Sequence, residues 1–260
     1  MSVLIRAEEA MHGERDPHQR LALAIVCLAA LIINVDNTIL NVALPTLVRD
    51  LHATSSQLQW IVDSYAMVFA GLLLVGGTLA DRFGRKRFFL IGLSVFALGS
   101  IGAALSSTVT TLIAFRALMG VGAALTIPTS LAIINDIFRD PSQRARAIGV
   151  WGGTIGLGIA IGPIAGGLLL SRFWWGSIFL VNVPIACIGF LGAALGTLGG
   201  YIAMIGWLRS NSLNGGIAAL GNIPVADLLF ILVGMPVFAA LVGWLFAGRE
   251  PATMTHQAIE

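Results

Sequence analysis

The chain has 260 residues, 57% of them apolar and only 11% Asp, Glu, Lys or Arg. Soluble domains carry roughly 25% charged residues, so too few charges are present to coat a water-facing surface, and the net charge of +2 decides nothing by itself. Two cysteines, Cys27 and Cys187, lie inside apolar runs and form no spaced framework. The sequence has no Ser/His/Asp, Cys/His or metal-ligand cluster, so neither an enzyme nor a metal or cofactor site is expected, and no basic patch beyond short turns points to nucleic acid.

Residues 1–20 mix acidic with basic groups and read as a short polar tail rather than a signal peptide. Apolar runs then predict helices at about 21–44, 58–80, 88–105, 110–135, 147–170 and 177–200, with one more at about 225–247. The fold class expected is therefore an all-α polytopic membrane protein whose first partner is the lipid bilayer. Its divisions are a tail at 1–20, a six-helix unit at 21–195 and a divergent segment at 196–260 holding one further transmembrane helix. All four histidines (His12, His18, His52 and His256) lie outside the apolar runs, so none is a candidate proton carrier within the membrane.

The basic residues sort by side. Arg6, Arg15 and Arg20 precede the first helix; Arg82, Arg85, Lys86 and Arg87 fill the turn after the second; Arg139, Arg144 and Arg146 fill the turn after the fourth. The alternate loops hold only Arg49 and Arg172, a ratio of ten to two. The positive-inside rule then places the N-terminus and both basic turns in the cytoplasm.

Four charges remain at or within the helices: Asp36, Asp63, Arg116 and Asp227. A charge at mid-membrane costs ~2.5–3.5 kcal/mol on insertion scales and persists when paired or facing a wet cavity. At ~1.5 Å rise per residue, Asp36 lies ~12 Å and Arg116 ~9 Å from the outer ends of their helices, with Asp63 ~8 Å into the second. The three share a depth at which a carboxylate and a guanidinium can meet. Two readings stay open: a pair that only pins helices together, or a coupling site in which an acid releases its proton as Arg116 changes partner.

The end of the second helix reads Gly77-Thr-Leu-Ala-Asp81-Arg82-Phe-Gly84-Arg85-Lys86. Gly84 permits a tight reversal, and Arg82, Arg85 and Lys86 suit an anionic inner face. Three further patterns follow. The first helix holds Asp36-Asn37-Thr38-Ile39-Leu40-Asn41-Val42-Ala43-Leu44-Pro45. The fourth holds Leu112-Ile-Ala-Phe-Arg116-Ala-Leu-Met119-Gly120-Val-Gly122. The fifth holds Gly149, Gly158, Gly162-Pro163 and Gly166-Gly167. Gly158, Gly162 and Gly166 share one face and let another backbone approach. Pro163 offers no N–H to the Ile159 carbonyl and bends the helix there.

These four patterns, in this order, resemble the signature loop and helix motifs of the major facilitator superfamily, in its fourteen-helix drug:proton antiporter branch, over about residues 20–195. The resemblance implies a six-helix half of the major facilitator fold in a bacterial inner membrane, exporting small amphipathic compounds against protons. It assigns Asp36, Arg116 and Asp63 to proton coupling, and Gly77, Asp81, Arg82, Gly84, Arg85 and Lys86 to the cytoplasmic loop. Thr38, Asn41 and Pro45 belong to the helix-1 motif and the helix-5 glycines to the antiporter motif. Met119 stands where the family usually has Gln. Before the sixth helix, Trp175-Gly176-Ser177-Ile178-Phe179 lacks the family's Arg and second Trp, although Asn182-Val183-Pro184 follows as in the family.

From about Leu195 the text changes, and residues 196–260 resemble the last two helices of an FtsX-like ABC-transporter permease. Three functions are therefore carried forward. The first is proton-coupled multidrug efflux, incomplete as a single chain and requiring self-association or a separate second half. The second is an inactive or interaction-only membrane fragment arising by fusion, and the third an ABC permease-like subunit.

Overall fold

The structure, a computed structural model, describes residues 17–192. The chain separates after Thr197, and every described residue lies in the first unit, Met1–Thr197. Among the described residues all regular structure is helical. The helices are α1 (Pro17–Leu51), α2 (Ser55–Phe83), α3 (Arg85–Ala104), α4 (Val109–Ile137), α5 (Pro141–Arg172) and α6, which starts at Ser177–Leu180 and, after a turn at Val181, runs on to Gly192. The first five are long and apolar enough to cross a membrane.

Short polar caps set the helix starts. Thr54 and Gln57 form a reciprocal box before α2: Thr54 Oγ1 accepts from the Gln57 N–H at 3.3 Å, and Gln57 Oε1 accepts from the Thr54 N–H at 2.9 Å. Thr108 caps α4 through the Thr111 N–H. Asp140 caps α5, its Oδ2 accepting from Ser142 Oγ at 2.5 Å and from the Gln143 N–H at 2.8 Å, with Pro141 as the first helical residue. The Ser142 hydroxyl and the Gln143 amide hold the Asp140 carboxyl below the usual carboxylate range.

α1 is the central helix. Ile32, Ile39, Leu40, Ala43 and Leu47 are all buried in one cluster with Ile61 of α2, Phe96 of α3, Leu112 and Met119 of α4, and Ile178 and Phe179 of α6. α4 packs chiefly on α2 and α3, and α1 on α5. Glycines bring these backbones together. A Cβ at Gly122 of α4 would stand 2.5 Å from the Phe96 nitrogen of α3, and one at Gly120 would stand 2.7 Å from the Tyr65 carbonyl oxygen of α2. α2 and α5 turn their remaining faces outward, leaving Leu74 at 81% exposure and Leu157, Ile159, Ile164 and Leu168 open. An apolar exterior of this kind suits lipid or a protein partner, not water.

Two expected limits are corrected. The first helix was expected to stop before Pro45, but α1 continues to Leu51 with Pro45 inside it. Pro45 removes one N–H from the ladder, yet Ala43 and Leu47 on either side are fully buried, and that packing carries the helix across the gap. α5 likewise starts at Pro141 rather than near 147, because Asp140 supplies its cap. The seventh predicted helix, Asp227, Arg6, Arg15 and the permease-like segment 196–260 lie outside the described residues.

Candidate functional site

Asp36 sits midway along α1 and Arg116 two turns into α4, and both are shut from solvent at 0% and 1% exposure. Arg116 Nη1 donates to Asp36 Oδ2 at 2.6 Å. Arg116 Nε donates to the Ile61 carbonyl of α2 at 3.2 Å, using the lone pair that the helix leaves spare. The guanidinium carbon lies 4.4 Å from the Tyr65 ring centroid, a cation–π contact, and Tyr65 in turn stacks on Phe69 at 6.1 Å.

The other carboxylate oxygen has a separate holder. Asn182 Nδ2, on α6, donates to Asp36 Oδ1 at 2.6 Å and to Ser100 Oγ of α3 at 3.0 Å. Ser100 Oγ donates onward to Met119 Sδ at 3.8 Å, one turn beyond Arg116 on α4. Five helices thus meet at one buried polar knot. The desolvation of two charges is offset here by short charge-assisted bonds to each of the two oxygens.

Asp63 does not join the pair. It is half-buried on α2, two residues from both Ile61 and Tyr65, whose own side chains are buried in the knot. Two residues turn a helix by ~200°, so Asp63 points away from Arg116 despite sharing its depth.

Around the knot, α1 and α5 are stitched together. Thr38 Oγ1 donates to carbonyls of its own helix and lies 3.3 Å from the Gly158 carbonyl of α5. Gly158, Gly162 and Gly166 all face α1: a Cβ at 158 would meet the Leu31 carbonyl oxygen at 2.9 Å, one at 162 would overlap Thr38 Oγ1, and one at 166 would meet Ile39 Cγ1 at 2.9 Å. Gly149 and Gly167 have no such neighbour within 4 Å among the described residues, so the motif divides into a packed face and an open one. Among the described residues Asn41 bonds its own helix, donating to the Asn37 carbonyl at 3.4 Å. Pro163 lies inside α5.

At the turn between α2 and α3, Gly84 is the single connecting residue, with φ of 108°. Arg85 Nε pairs with Asp81 Oδ1 at 2.8 Å, and Arg85 Nη1 reaches both Asp136 Oδ1 at 2.5 Å and the Ala132 carbonyl at 3.0 Å. The end of α4 is thereby tied to the α2–α3 turn. Arg82 lies over the Phe83 ring at 5.4 Å, and a Cβ at Gly77 would stand 3.7 Å from Pro128 Cβ of α4.

Sequence reasoning missed Ser100, Tyr65 and Asp136, and it noted Asn182 only as part of the Asn182-Val183-Pro184 run, without a role. Asn182 had a visible signal, as an amide inside an apolar run, where an unpartnered polar group is costly. Asp136 had one too, since it is an acid at the end of α4 within reach of a basic turn.

Comparison with known proteins places this geometry. Residues 26–198 match the Major Facilitator Superfamily. The methyl viologen resistance protein SmvA of Salmonella typhimurium is 40% identical over 212 residues, covering 82% of this chain and 42% of SmvA. The multidrug efflux pump LfrA of Mycolicibacterium smegmatis is 45% identical over 165 residues, covering 64% of this chain and 33% of LfrA. The chain thus spans less than half the length of these relatives. In fold it resembles a bacterial homologue of the lysosomal transporter Spinster, solved inward-facing and unoccupied, with a TM-score of 0.55 at 20% identity over 71% of this chain and 43% of that one. On its matched residues, its helices and its relatives, the chain belongs to the Major Facilitator Superfamily.

Proposed function

We propose that residues 21–195 are the N-terminal six-helix half of a proton-coupled exporter of amphipathic, chiefly cationic compounds. The observation that carries this reading is the buried Asp36–Arg116 pair at the centre of the bundle. A proton reaching Asp36 removes the negative charge that holds Arg116. The guanidinium, which cannot itself lose a proton, must then find another acceptor or a more aqueous position. Moving a buried cation requires the helices that carry it to shift, and a shift of that kind is how proton binding can drive alternating access.

The orientation proposed has the N-terminus and the basic turns in the cytoplasm of a bacterial inner membrane, on the ten-to-two bias of basic residues. In this fold substrate lies between two related halves near the midplane, so a second wall is needed. A second half, or a second copy of this one, would pack on the outward faces of α2 and α5, where Gly71, Gly149, Gly152, Gly153 and Gly156 leave room. The family relatives' names supply test compounds: methyl viologen and puromycin. The permease-like reading rests on residues 196–260 alone. Against it, an alignment with SmvA covering 82% of the chain must run past residue 195.

The test is proton flux in everted vesicles holding the protein. Adding methyl viologen should drive protons out of acidified vesicles, and Asp36→Asn should abolish the response. Absence of compound-dependent flux in vesicles that also supply a second half would sink the exporter reading in favour of an inactive or interaction-only fragment.

A further inference from the structure

The two oxygens of Asp36 are held by donors of different kinds. Oδ2 faces Arg116 Nη1 and Oδ1 faces Asn182 Nδ2, each at 2.6 Å. The orientation of the Asn182 amide follows from its neighbours. Turned over, it would set its own oxygen against Asp36 Oδ1, acceptor against acceptor. As it stands, both N–H groups are used, one on Asp36 and one on Ser100, while its Oδ1 is buried with no donor among the described residues. Its two donor bonds therefore set its pose, and Ser100, bonded to Met119, holds the second of them in place.

We infer that Asn182 is a positioning residue that steers the coupling proton to Asp36 Oδ2, so that protonation and release of Arg116 become a single event. The inference rests on the transport reading of the Asp36–Arg116 pair. An amide N–H has nothing with which to accept a proton, and it bonds best to the more electron-rich oxygen of a carboxylic acid, the C=O rather than the C–OH. Asn182 thus keeps Oδ1 as the carbonyl and leaves Oδ2 as the seat of the proton. Oδ2 is the oxygen that Arg116 occupies, and a guanidinium also has no acceptor for an O–H. Asn182 is pinned by Ser100 and has nowhere to turn, whereas Arg116 keeps the Ile61 carbonyl and the Tyr65 ring when it lets go. The bond that yields is therefore the one to Arg116. One proton binds the Oδ2 lone pair and one hydrogen bond, to Arg116 Nη1, breaks. Without Asn182 the proton could settle on Oδ1 while Arg116 stayed in place, and the two events would separate. The titratable groups facing Asp36 are Arg116 from α4 and Tyr65 from α2; α3 and α6 present the uncharged Ser100 and Asn182, and the α5 glycines 158, 162 and 166 pack on neighbouring α1 residues, among them Val35, Thr38 and Ile39.

Infrared acid–base difference spectroscopy on the full chain in lipid vesicles tests this directly. Asp36→Asn identifies the Asp36 carboxylic C=O band by its loss. In Asn182→Leu that band should move to lower wavenumber, because the proton settles on Oδ1 and the remaining carbonyl, Oδ2, keeps the charged Arg116 donor in place of an amide. Its half-protonation point should rise. A move to higher wavenumber would mean that the proton still sits on Oδ2 and would overturn the inference. Asn182→Ser, small and polar, guards against misfolding, and its side chain is too short to reach Oδ1, so the same two shifts are expected. A purely structural role would leave the band of a folded variant where it was. An unmoved band and midpoint in both variants would overturn the inference, as would the absence of any Asp36 band in the parent. Flux measured on the same vesicles reads the transport function separately. Flux with an unmoved band overturns the role of Asn182 alone, while a band that moves as expected without flux, in vesicles that also supply a second half, supports the placing of the proton by Asn182 and overturns transport.

Discussion

Thr38 of α1 and Gly162 of α5 stand closer than any side chain at position 162 would allow: a Cβ there would overlap Thr38 Oγ1 and lie 2.8 Å from Thr38 Cβ and 3.1 Å from the Ile39 nitrogen. Thr38 is β-branched, and its hydroxyl is already committed to the Asn34 and Val35 carbonyls, so it cannot swing aside. Gly162→Ala should therefore push α5 off α1 and destabilise the protein by about 1–3 kcal/mol, the usual cost of overpacking. Gly149→Ala is the control, since nothing lies within 4 Å of its Cβ and helix propensity favours Ala by up to ~1 kcal/mol. Thermal unfolding in detergent should lower the first variant's midpoint and leave the second's unchanged or raised.

The buried pair predicts an asymmetry between its partners. Removing either one strands the other, at a cost of about 3–5 kcal/mol for a fully buried pair. A stranded carboxylate can shed its charge by taking a proton; a stranded guanidinium cannot. Arg116→Met should thus recover stability as the medium is acidified, whereas Asp36→Asn should show no such recovery. Unfolding midpoints of the two variants across a pH series separate the cases, and parallel behaviour would contradict the pairing described.

Much of this site was legible because charges are so rare in the chain. Asp36 and Arg116 stand out in apolar runs where an unpaired charge is expensive, and their depths agree. Depth alone misled for Asp63, because it says nothing of direction around the helix. Uncharged polar residues were harder to rank, since each can satisfy itself locally: Asn34, Asn37, Thr126 and Thr129 all bond carbonyls of their own helices. Asn182 and Ser100 differ only in reaching across helices, which residue type does not reveal. The extent of α1 past Pro45 was hidden for a similar reason, as it depends on the burial of Ala43 and Leu47 rather than on local preference.

At the α2–α3 turn, backbone and charge can be weighed against each other. Gly84 has φ of 108° and ψ of 117°, a region that L-residues adopt only under strain of about 1–3 kcal/mol. A Cβ there would meet nothing closer than Arg87 Cδ at 3.9 Å, so the cost of Gly84→Ala is conformational and not steric. Arg85→Ala removes bonds to two carboxylates that are more than half exposed, and such surface pairs contribute about 1 kcal/mol or less. Gly84→Ala should therefore lower the unfolding midpoint more than Arg85→Ala does. The opposite order would mean that the charge bridge, not the glycine, holds the turn.

The cap of α5 should respond to acid in a defined window. Asp140 is held below the usual carboxylate range by the Ser142 hydroxyl and the Gln143 amide. A carboxyl depressed in the folded state contributes stability that is fully present above its ordinary value of about 3.9. That contribution is lost as pH falls through the lower folded value. Neutral pH therefore leaves the cap intact, and acidification below the ordinary aspartate range should loosen the first turn of α5. An NMR titration should show the Gln143 amide shift moving with a midpoint below 3.9 (the ordinary value). Asp140→Asn, which keeps a capping oxygen without a titrating group, should abolish that movement while leaving the helix start in place. A midpoint at or above the ordinary value would mean that the cap bonds do not form in the folded protein.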